Sequence, residues 1–495
     1  MTLTSDVTSP APPGERNADE LLVSGPPALN VPGVRETIRG RTRAKGTKLV
    51  VLDDDPTGSQ SVQQVPVLTR WEEDDVKWAF SQPSDVFFVL TNTRSLDESE
   101  TAALLRDVLT TLDVVASQLG QGYAVLSRSD STLRGHFPLE TDVIAGFAAD
   151  HGHPYDAVMI TPAYLEAGRV TTGDVHYARS GDLFVPVGST DYAADATFGF
   201  RGSNLRDYVE EKTAGRVKAE DVVSLTIEDI RLGGPIRVAE ILTACHDETP
   251  VIVNAVLEAD LEVVALGALN AEEAGTAILY RTGPSFVPVR AGLVRRPPVT
   301  HRQIFGGRNR PGHGLVVVGS HVDLTGRQLE RLLELPGMIR VELDVPGVLD
   351  AARRDAILND TAQVLMEALR GSDVVLVTSR NRVTGKTASS SLAIARQVSA
   401  SLVALVKRVR AQSDVSWVIA KGGITSSDVA TAGLGVRRAN VLGQLFPGVV
   451  SVWITENSEG QGHDEGLPYV VFAGNVGDDT SLAEAVSILR GARDA

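Results

Sequence analysis

Cysteine is nearly absent from this sequence. Its 495 residues include only one, Cys245, which excludes an internal disulfide framework and a zinc site built from several cysteines. Long apolar runs are missing too, since no stretch approaches the ~20 consecutive apolar residues of a membrane-spanning helix. The first residues also lack the basic-then-apolar pattern of a secretory signal. Together these absences predict a cytoplasmic protein.

Positive charge is the second shortage. The chain has 47 Lys and Arg against 63 Asp and Glu, which gives a net charge of −16. Nucleic acids and anionic membranes are held by clusters of basic residues, so this balance argues against both as partners. A small phosphate-bearing ligand stays compatible, because binding depends on local charge. The composition is otherwise ordinary, with 43% apolar residues, and the length predicts two large domains.

What the sequence does contain is a repeated alternation. From residue 47 onward, short β-branched runs typical of buried parallel strands are followed by polar loops and then by stretches with helical spacing, such as 98–119 and 390–409. This alternation predicts an α/β fold with two domains, each a mostly parallel sheet flanked by helices. The predicted strands are 48–52, 86–90, 123–126, 157–160, 222–225, 251–253, 315–318, 374–377, 417–420, 449–453 and 469–472.

Two segments break the alternation. Residues 1–46 are rich in proline, glycine and charge and predict a flexible N-terminal extension, with one short helix near 34–39. Residues 291–312 are rich in Pro, Gly and Arg and predict a linker between domains at 47–290 and 313–495. Ligands of open parallel sheets bind beyond the carboxyl ends of the strands. The loops after the apolar runs are therefore the candidate sites, and we expect an active site in the cleft between the two domains.

Three consecutive carboxylates follow the first predicted strand. They are Asp53, Asp54 and Asp55, and a Thr57-Gly58 turn comes directly after. Clustered acids cost stability unless cationic or hydrogen-bonding groups compensate them. An exposed acidic turn with a helix-capping Asp is the alternative, but acids at strand ends of α/β folds are often functional. The cluster therefore predicts a general base for a hydroxyl, or a ligand for a sugar hydroxyl or Mg²⁺.

The next loops of the same half combine arginines with hydroxyls. Arg94 follows the run 86–90, where a guanidinium is suited to bidentate capture of a carboxylate. Arg169 lies in the loop after 157–160. The loop after 123–126 is the richest and carries Arg128, Ser129, Asp130, Ser131, Thr132 and Arg134. Arginines, hydroxyls and one acid predict a pocket for a small, hydroxyl-rich anion, whereas the alternative is a hydrogen-bonded surface loop.

Glycine- and serine-rich loops follow three strands of the second half. Glycine allows close backbone approach to a ligand, and the free N–H groups at a helix start attract phosphate. These loops therefore predict a nucleotide site, although a simple capping turn would use the same residues. Thr325 is predicted to cap the helix after the first loop. The candidate residues are Ser320, Lys421, Gly422, Gly423, Thr425, Ser426, Gly474, Asn475 and Gly477.

One stretch imitates a standard phosphate loop. Gly385-Lys386-Thr387 follows a predicted strand, as in the Walker A pattern G-x-x-x-x-G-K-[ST]. The first glycine of that pattern would stand at position 380, where the chain has Arg380. The loop is therefore not a standard phosphate-binding loop. Binding of a phosphate by the charge of Lys386 alone is left open.

The motifs taken together resemble a known family. In chain order they read DDDPTG, SRSDST, TPAYLEAGR, GSHVDLTGRQ, KGGITSSDVA and AGNVGD. Their order resembles the four-carbon acid sugar kinase family, formerly a domain of unknown function, which includes threonate, erythronate and 3-oxo-tetronate kinases. The resemblance covers nearly everything after residue 47. It implies that 47–290 binds the acid sugar and that 313–495 binds ATP.

The resemblance also implies roles for particular residues. Asp54 and Asp55 match the paired acids of the family, while Arg94 and the stretch 129–132 match substrate-binding positions. In the second half, the matches to the nucleotide loops are Ser320, 422–426 and 474–477. The sequence departs from the pattern at Pro56, where an aromatic residue is common.

These observations predict an ATP- and Mg²⁺-dependent kinase acting on a hydroxyl of a small acid sugar. Asp54 or Asp55 would take the proton of the attacking hydroxyl, and the loop at Lys421 would neutralise the γ-phosphate with Mg²⁺. Two alternatives remain. One is a Mg²⁺-dependent phosphatase or hydrolase built on the acid cluster, and the other is a non-catalytic sensor of nucleotide or sugar acid. Assembly into a homo-oligomer is left open.

Overall fold

The computed structural model describes residues 14–23, 25–55, 58–307, 310, 312–379, 383, 388–458, 466–474 and 476–491. The fold class predicted from the sequence is confirmed, because helices flank mostly parallel sheets. Of the residues that the sequence analysis singles out, those outside the described part are Pro56, Thr57, Arg380, Gly385, Lys386, Thr387 and Asn475.

The strands follow one another along the chain as predicted from residue 47 onward, with others between them. In chain order they are β1 (Arg16–Asn17), β2 (Thr47–Asp53), β3 (Val65–Leu68), β4 (Val86–Leu90), β5 (Gly122–Arg128), β6 (Ala157–Thr161), β7 (Arg169–Thr172), β8 (Val175–Ser180), β9 (Leu183–Pro186), β10 (Val223–Leu225), β11 (Thr249–Val253), β12 (Ile278–Thr282), β13 (His313–Val318), β14 (Met338–Leu343), β15 (Asp373–Thr378), β16 (Val415–Lys421), β17 (Val436–Phe446), β18 (Val450–Ser458) and β19 (Pro468–Phe472).

The helices vary from short turns to long amphipathic segments. In chain order they are α1 (Ala18–Leu22), α2 (Val34–Ala44), α3 (Glu73–Ser81), α4 (Glu98–Leu119), α5 (Leu139–Asp150), α6 (Leu205–Lys212), α7 (Ile227–Arg231), α8 (Gly234–Thr243), α9 (Glu258–Glu273), α10 (Phe286–Arg290), α11 (His301–Phe305), α12 (Asp323–Leu333), α13 (Val345–Leu349), α14 (Arg354–Ala368), α15 (Ala388–Gln412), α16 (Gly423–Asp428) and α17 (Ser481–Leu489). Among the described helices, none has both the length and the apolar character needed to cross a membrane.

The chain divides into two compact units. The first unit contains Met1–Val34 and Ser129–Phe286, and the second contains Arg35–Arg128 and Val287–Ala495. The second unit thus joins the acid-cluster segment of the chain to the C-terminal part. The domain boundaries drawn from the sequence, which divide the chain differently, stay a prediction.

The first unit has a parallel sheet and a small antiparallel sheet. The parallel strands lie in the order β10-β11-β6-β12. The antiparallel strands lie in the order β1-β9-β8-β7. The segment predicted to be a flexible extension supplies β1 and α1, and Leu21 of α1 is fully buried. The helix predicted near 34–39 is present as α2.

The second unit has one long mixed sheet, in the order β5-β2-β4-β3-β17-β18-β19-β16-β13-β15-β14. Most neighbouring strands are parallel, but β17 is antiparallel to β3 and β18, and β18 is antiparallel to β19. The run 449–453 therefore forms a strand as predicted, but the prediction that it is parallel to its neighbours is wrong.

Several strands lack the apolar signature on which the prediction depends. β14 exposes alternate residues, β17 alternates polar with apolar side chains, and β3 contains Pro66. Proline removes a ladder donor and argues against a strand, but β3 pairs with β4 and β17 nonetheless. Half-buried strands such as β14 and β17 give a weaker sequence signal than the apolar runs within β13 and β15.

Candidate active site

Asp53 anchors the acid cluster at the carboxyl end of β2. Its side chain is fully buried, and Oδ1 accepts hydrogen bonds from Nη1 of Arg128 at 2.9 Å and from the backbone N–H of Asp55 at 3.1 Å. A side chain at Gly58 would overlap Oδ2 of Asp53, so this position requires glycine. The pairing compensates the clustered negative charge that the sequence analysis identified.

Neighbouring strands bring the partners of this cluster together. Asp53 is in register with Leu90 of β4 and with Arg128 of β5. The backbone N–H and the hydroxyl of Thr91 donate to the carbonyl of Asp53 at 2.9 and 2.8 Å. Parallel strands end at one edge of the sheet, and this is why residues far apart in sequence meet here.

Asp54 and Asp55 differ in their surroundings. Asp54 is 1% exposed, and its Oδ1 lies 3.9 Å from Nη1 of Arg128. The side chain of Asp55 is 15% exposed and forms an ion pair with Arg94. The sequence predicts functional roles for these four residues but does not predict how they pair. Asp55 is therefore the carboxylate of this cluster that solvent reaches most easily.

The hydroxyl-rich loop lies in the first unit. Oδ2 of Asp130 accepts from Nε of Arg134 at 2.7 Å and from the hydroxyl of Thr132. Ser131 and Thr132 are buried, as is Ser129, whose backbone N–H donates to the carbonyl of Thr282 at 2.8 Å. Asp130 thus stabilises the loop through hydrogen bonds to two other residues of the same loop.

Tyr192 is a residue of this region that the sequence analysis missed. The guanidinium groups of Arg134 and Arg169 lie 5.1 and 5.9 Å from the centre of its ring. Its hydroxyl accepts a hydrogen bond from Nη2 of Arg169 at 3.3 Å. A tyrosine between two arginines brings their charges together, but nothing in the local sequence around residue 192 signals this contact.

His176 contacts the same loop at the carbonyl of Ser131. It is fully buried, with Nδ1 at 2.9 Å from the hydroxyl of Thr171 and Nε2 at 2.7 Å from the carbonyl of Ser131. Burial lowers the pKa of His176 to about 4, so the ring is neutral at physiological pH. Both nitrogens are engaged with the protein, and this gives the imidazole a structural role.

Arg281 is a second residue missed by the sequence analysis. It is buried at the end of β12 and forms an ion pair with Glu140 of α5. Together with Ser129, Asp130 and Tyr208 it lines a small cavity of about 20 Å³. A buried arginine inside an otherwise apolar strand could have been noticed as a signal, because such a charge needs a partner.

The glycine loop after β16 combines a left-handed residue with the start of a helix. Gly422 has φ +128°, and a Cβ there would lie 3.1 Å from Oγ1 of Thr425. Its N–H donates to the carbonyl of Phe472 on β19 at 2.8 Å. The predicted helix begins at Gly423, where a Cβ would meet nothing within 4 Å. Backbone conformation and contacts within the protein therefore favour glycine at position 422, whereas Gly423 has open space beside it.

The loops after β13 and β19 adjoin. The hydroxyl of Thr325 donates to the carbonyl of Gly474 at 2.9 Å and lies 3.1 Å from Oγ of Ser320. The prediction that Thr325 caps the helix is wrong, because α12 begins at Asp323. Its side chain instead holds two of the predicted nucleotide loops together.

Lys421 is completely buried between these loops. Its Nζ donates to the carbonyl of Ala473 at 2.7 Å and lies 3.9 Å from the ring centre of Phe472. Burial lowers its pKa to about 7. Neutralisation of a γ-phosphate by this lysine stays a prediction, and in the structure its ammonium group ties β16 to the loop after β19.

The buried Lys421 gives stability a defined pH dependence. Its pKa is lowered from 10.5 to about 7 in the folded chain, so stability is lost as the pH falls from 10.5 towards 7. Lys421→Met lacks this titration. From about pH 6 to about pH 9, we expect the unfolding free energy of the wild type to rise by about 2 kcal/mol relative to the variant. Urea unfolding of both proteins measures this difference.

The exposed Lys407 of α15 supplies a matched control. Lys407→Met is expected to leave the pH dependence of stability as it is in the wild type, because an exposed ammonium group loses little hydration on folding. A difference between wild type and Lys421→Met that stays constant over this pH range would contradict the prediction.

A protein-built metal cage is not found in the described part of the chain. There, no group of three or more His, Cys, Asp or Glu side chains is arranged to hold a metal ion. Asp53 and Asp55 each face an arginine. This donor set fits Mg²⁺ only in the form common to kinases, in which nucleotide phosphates supply most of the ligands.

Comparison with known proteins defines the class. A sugar-binding N-terminal domain matches residues 49–290, and a nucleotide-binding C-terminal domain matches residues 315–482. The acid cluster and Arg94 fall in the first match, and the glycine loops fall in the second. The chain belongs to the four-carbon acid sugar kinase family, as its motifs predicted.

One kinase agrees with this assignment, and two solved structures share the fold. A 3-oxo-isoapionate kinase of Paraburkholderia graminis is 25% identical over 402 residues, which is 76% of this chain and 79% of that protein. A solved structure from Salmonella typhimurium LT2 superposes with a TM-score of 0.62 at 18% identity and covers 88% of this chain and 98% of its own. A Haemophilus influenzae protein from a family of unknown function has a TM-score of 0.57 at 18% identity, covering 88% and 99%. These two structures share the fold.

Proposed function

We propose that this protein is an ATP-dependent kinase that phosphorylates a hydroxyl of a small, four-carbon acid sugar of the threonate, erythronate or 3-oxo-tetronate class. Family membership supports a sugar-acid kinase, and so does the relative that acts on 3-oxo-isoapionate. The observation that carries the proposal is the pairing of Asp55 with Arg94. It sets a partly exposed carboxylate beside a guanidinium at a sheet edge.

Asp55 is the general base in this proposal. Of the three clustered acids, Asp53 is committed to Arg128 and Asp54 is buried, while Asp55 keeps an exposed fraction. The carboxylate of Asp55 accepts the proton of the attacking hydroxyl, and the guanidinium of Arg94 binds the carboxylate of the sugar acid.

In this proposal, the acid cluster after β2 and the glycine loop after β16 act on one reaction. The usual twist of a β-sheet is compatible with this. β2 and β16 are separated by six strand-to-strand steps, three of which are antiparallel, so the two strands run in opposite senses along the ladder. Adjacent strands rotate by about 20–25°, and six steps accumulate roughly 120–150°. A rotation of this size would turn the carboxyl ends of the two strands towards a common direction.

ATP binds, in this proposal, to the loops around Ser320, Gly422 and Gly474. Backbone N–H groups of these loops hold the phosphates, and the space beside Gly423 admits them. Mg²⁺ bound to the nucleotide would neutralise phosphate charge in the transition state. Lys421 positions the loop after β19 through its bond to Ala473.

A coupled assay of ADP release tests the proposal. The purified chain is supplied with ATP, Mg²⁺ and, one at a time, threonate, erythronate, 3-oxo-tetronate and five- or six-carbon sugar acids. We expect turnover to be highest with a four-carbon acid and absent when no sugar acid is supplied. Phosphate release from a phosphorylated acid without ATP would instead favour a phosphatase. Ligand binding without ADP release would favour a sensor.

A further inference from the structure

Gln328 of α12 is a buried polar side chain to which the proposed function gives no role. It is fully buried, and its Nε2 donates to the carbonyl of Val476 at 3.1 Å and to the carbonyl of Asp478 at 2.7 Å. Both neighbours are acceptors, and this fixes the orientation of the amide, because only its amino end can face two carbonyls. A helix side chain thus holds the loop that follows β19.

The other end of the same amide has no partner. Among the residues that the structure describes, none donates to Oε1 of Gln328, although this atom is also buried. A buried acceptor without a donor is unfavourable to folding and rare in native structures. An apolar side chain of similar length would avoid that cost. The choice of glutamine is therefore better explained by what Nε2 holds in place than by stability.

Two further carbonyls of this loop are held in the same way. The carbonyl of Ala473 accepts from Nζ of Lys421 at 2.7 Å, and the carbonyl of Gly474 accepts from the hydroxyl of Thr325 at 2.9 Å. With the two bound by Gln328, four carbonyls of one short loop accept from side chains that are all fully buried. The carbonyls of the loop are therefore bound on the protein side.

The N–H groups of the loop are not used in this way. Within the described ranges, those of Gly474, Val476 and Gly477 have no acceptor. Backbone donors need an acceptor from solvent or from a ligand, and neighbouring free N–H groups of a turn form a concavity that binds anions. The loop therefore has free donors for an anion, while the carbonyls that would repel one are bound to the protein.

Each held carbonyl also fixes an N–H group. In a planar trans peptide, the carbonyl of one residue and the N–H of the next point in opposite directions. The bond from Gln328 to the carbonyl of Val476 therefore directs the N–H of Gly477 away from α12. Gly477 is exposed and has φ +82°. Because glycine tolerates either sign of φ, the backbone alone does not select this orientation of the peptide, and the bond from Gln328 does.

We propose that Gln328 is a positioning residue for the nucleotide, because its bonds to Val476 and Asp478 keep the N–H groups of the loop after β19 available to phosphate. This inference rests on the proposed function, which gives that loop to the phosphates of ATP. The buried side chain of Gln328 does not itself touch the nucleotide. Its loss is therefore expected to affect the binding of nucleotide and not the binding of the sugar acid.

Gln328→Met tests the proposal, because methionine has a similar length and volume but no donor. Leu332→Ala is the matched control. Leu332 lies one turn further along α12 and is fully buried in the apolar core of this unit, so its truncation loosens the same helix and leaves the amide of Gln328 in place. Calorimetry with AMP-PNP measures affinity, and thermal unfolding measures stability. Steady-state ADP release measures KM for ATP and for the best four-carbon acid separately.

We expect Gln328→Met to bind AMP-PNP about tenfold more weakly than the wild type and to raise KM for ATP by a similar factor, with KM for the acid unchanged. Leu332→Ala is expected to lose thermal stability and to keep wild-type affinity for AMP-PNP. Unchanged affinity in Gln328→Met, an equal loss in Leu332→Ala, or an equal rise in KM for the acid would overturn the positioning role.

Failure of the kinase proposal gives different results. If the wild type does not bind AMP-PNP, the nucleotide site is wrong and the role of Gln328 is overturned with it. If AMP-PNP binds, and binds more weakly only to Gln328→Met, but no sugar acid stimulates ADP release, the positioning role is supported and the kinase reaction is not.

Discussion

Asp55→Asn is expected to lower kcat about 10²- to 10⁴-fold while leaving nucleotide affinity unchanged. The range is that of general-base assistance to proton transfer. The amide has nearly the shape of the carboxylate but cannot accept the proton, and it removes the ion pair between residue 55 and Arg94. Steady-state ADP release with the best four-carbon acid measures kcat, and calorimetry with AMP-PNP measures affinity.

Asp53→Asn and Asp54→Asn are the comparisons for this variant. Because Asp53 accepts from Arg128 and from the N–H of Asp55, we expect Asp53→Asn to lower thermal stability as well as rate. Asp54→Asn is expected to keep more activity than Asp55→Asn. If Asp54→Asn instead loses more activity than Asp55→Asn, the base is Asp54. Near-normal turnover in both would show that neither carboxylate takes the proton.

Gly423→Val is expected to weaken ATP binding by about ten- to a hundredfold, with little loss of stability. A Cβ at Gly423 meets no protein atom within 4 Å, so the new side chain occupies space that the proposal gives to phosphate. An interaction free energy of about 1.4–2.8 kcal/mol corresponds to that range. Calorimetry with AMP-PNP measures the affinity, and thermal unfolding measures the stability.

Gly40→Val is the matched control. Gly40 also lies in a helix, α2, and a Cβ there likewise meets nothing within 4 Å. The two substitutions carry a similar cost in helix propensity, but Gly40 is far from the glycine loops in sequence and belongs to no proposed site. Wild-type nucleotide affinity in Gly423→Val would remove the loop after β16 from the ATP site.

The fold class could be predicted because buried parallel strands are continuously apolar. β4 and β15 are buried at every residue, and their runs stand out against the amphipathic helices α4 and α15. Strand direction could not be predicted in the same way. β18 is as apolar at its start as the parallel strands, and its antiparallel pairing depends on the turn that joins it to β17 and on which strands become its neighbours.

For the candidate site, the sequence predicts which residue types take part but not which of them contact one another. Acids and arginines in loops after strands signal a polar ligand, and Asp55 and Arg94 were found in this way. The pairing between them depends on the register of β2, β4 and β5, since that register brings the three carboxyl ends to one edge. Tyr192 has no such local signal, because its contact with two arginines joins segments that are distant along the chain.

By itself the sequence determined the kinds of groups available: clustered carboxylates, arginines among hydroxyls, and glycines after strands. These follow from local chemistry, because a side chain's charge and a residue's backbone freedom are the same in any fold. Only the tertiary structure decided which groups meet. It assigned Asp53 to Arg128, left Asp55 partly exposed and buried Lys421 against backbone carbonyls. Register, burial and twist arise from contacts across the chain, which no local pattern contains.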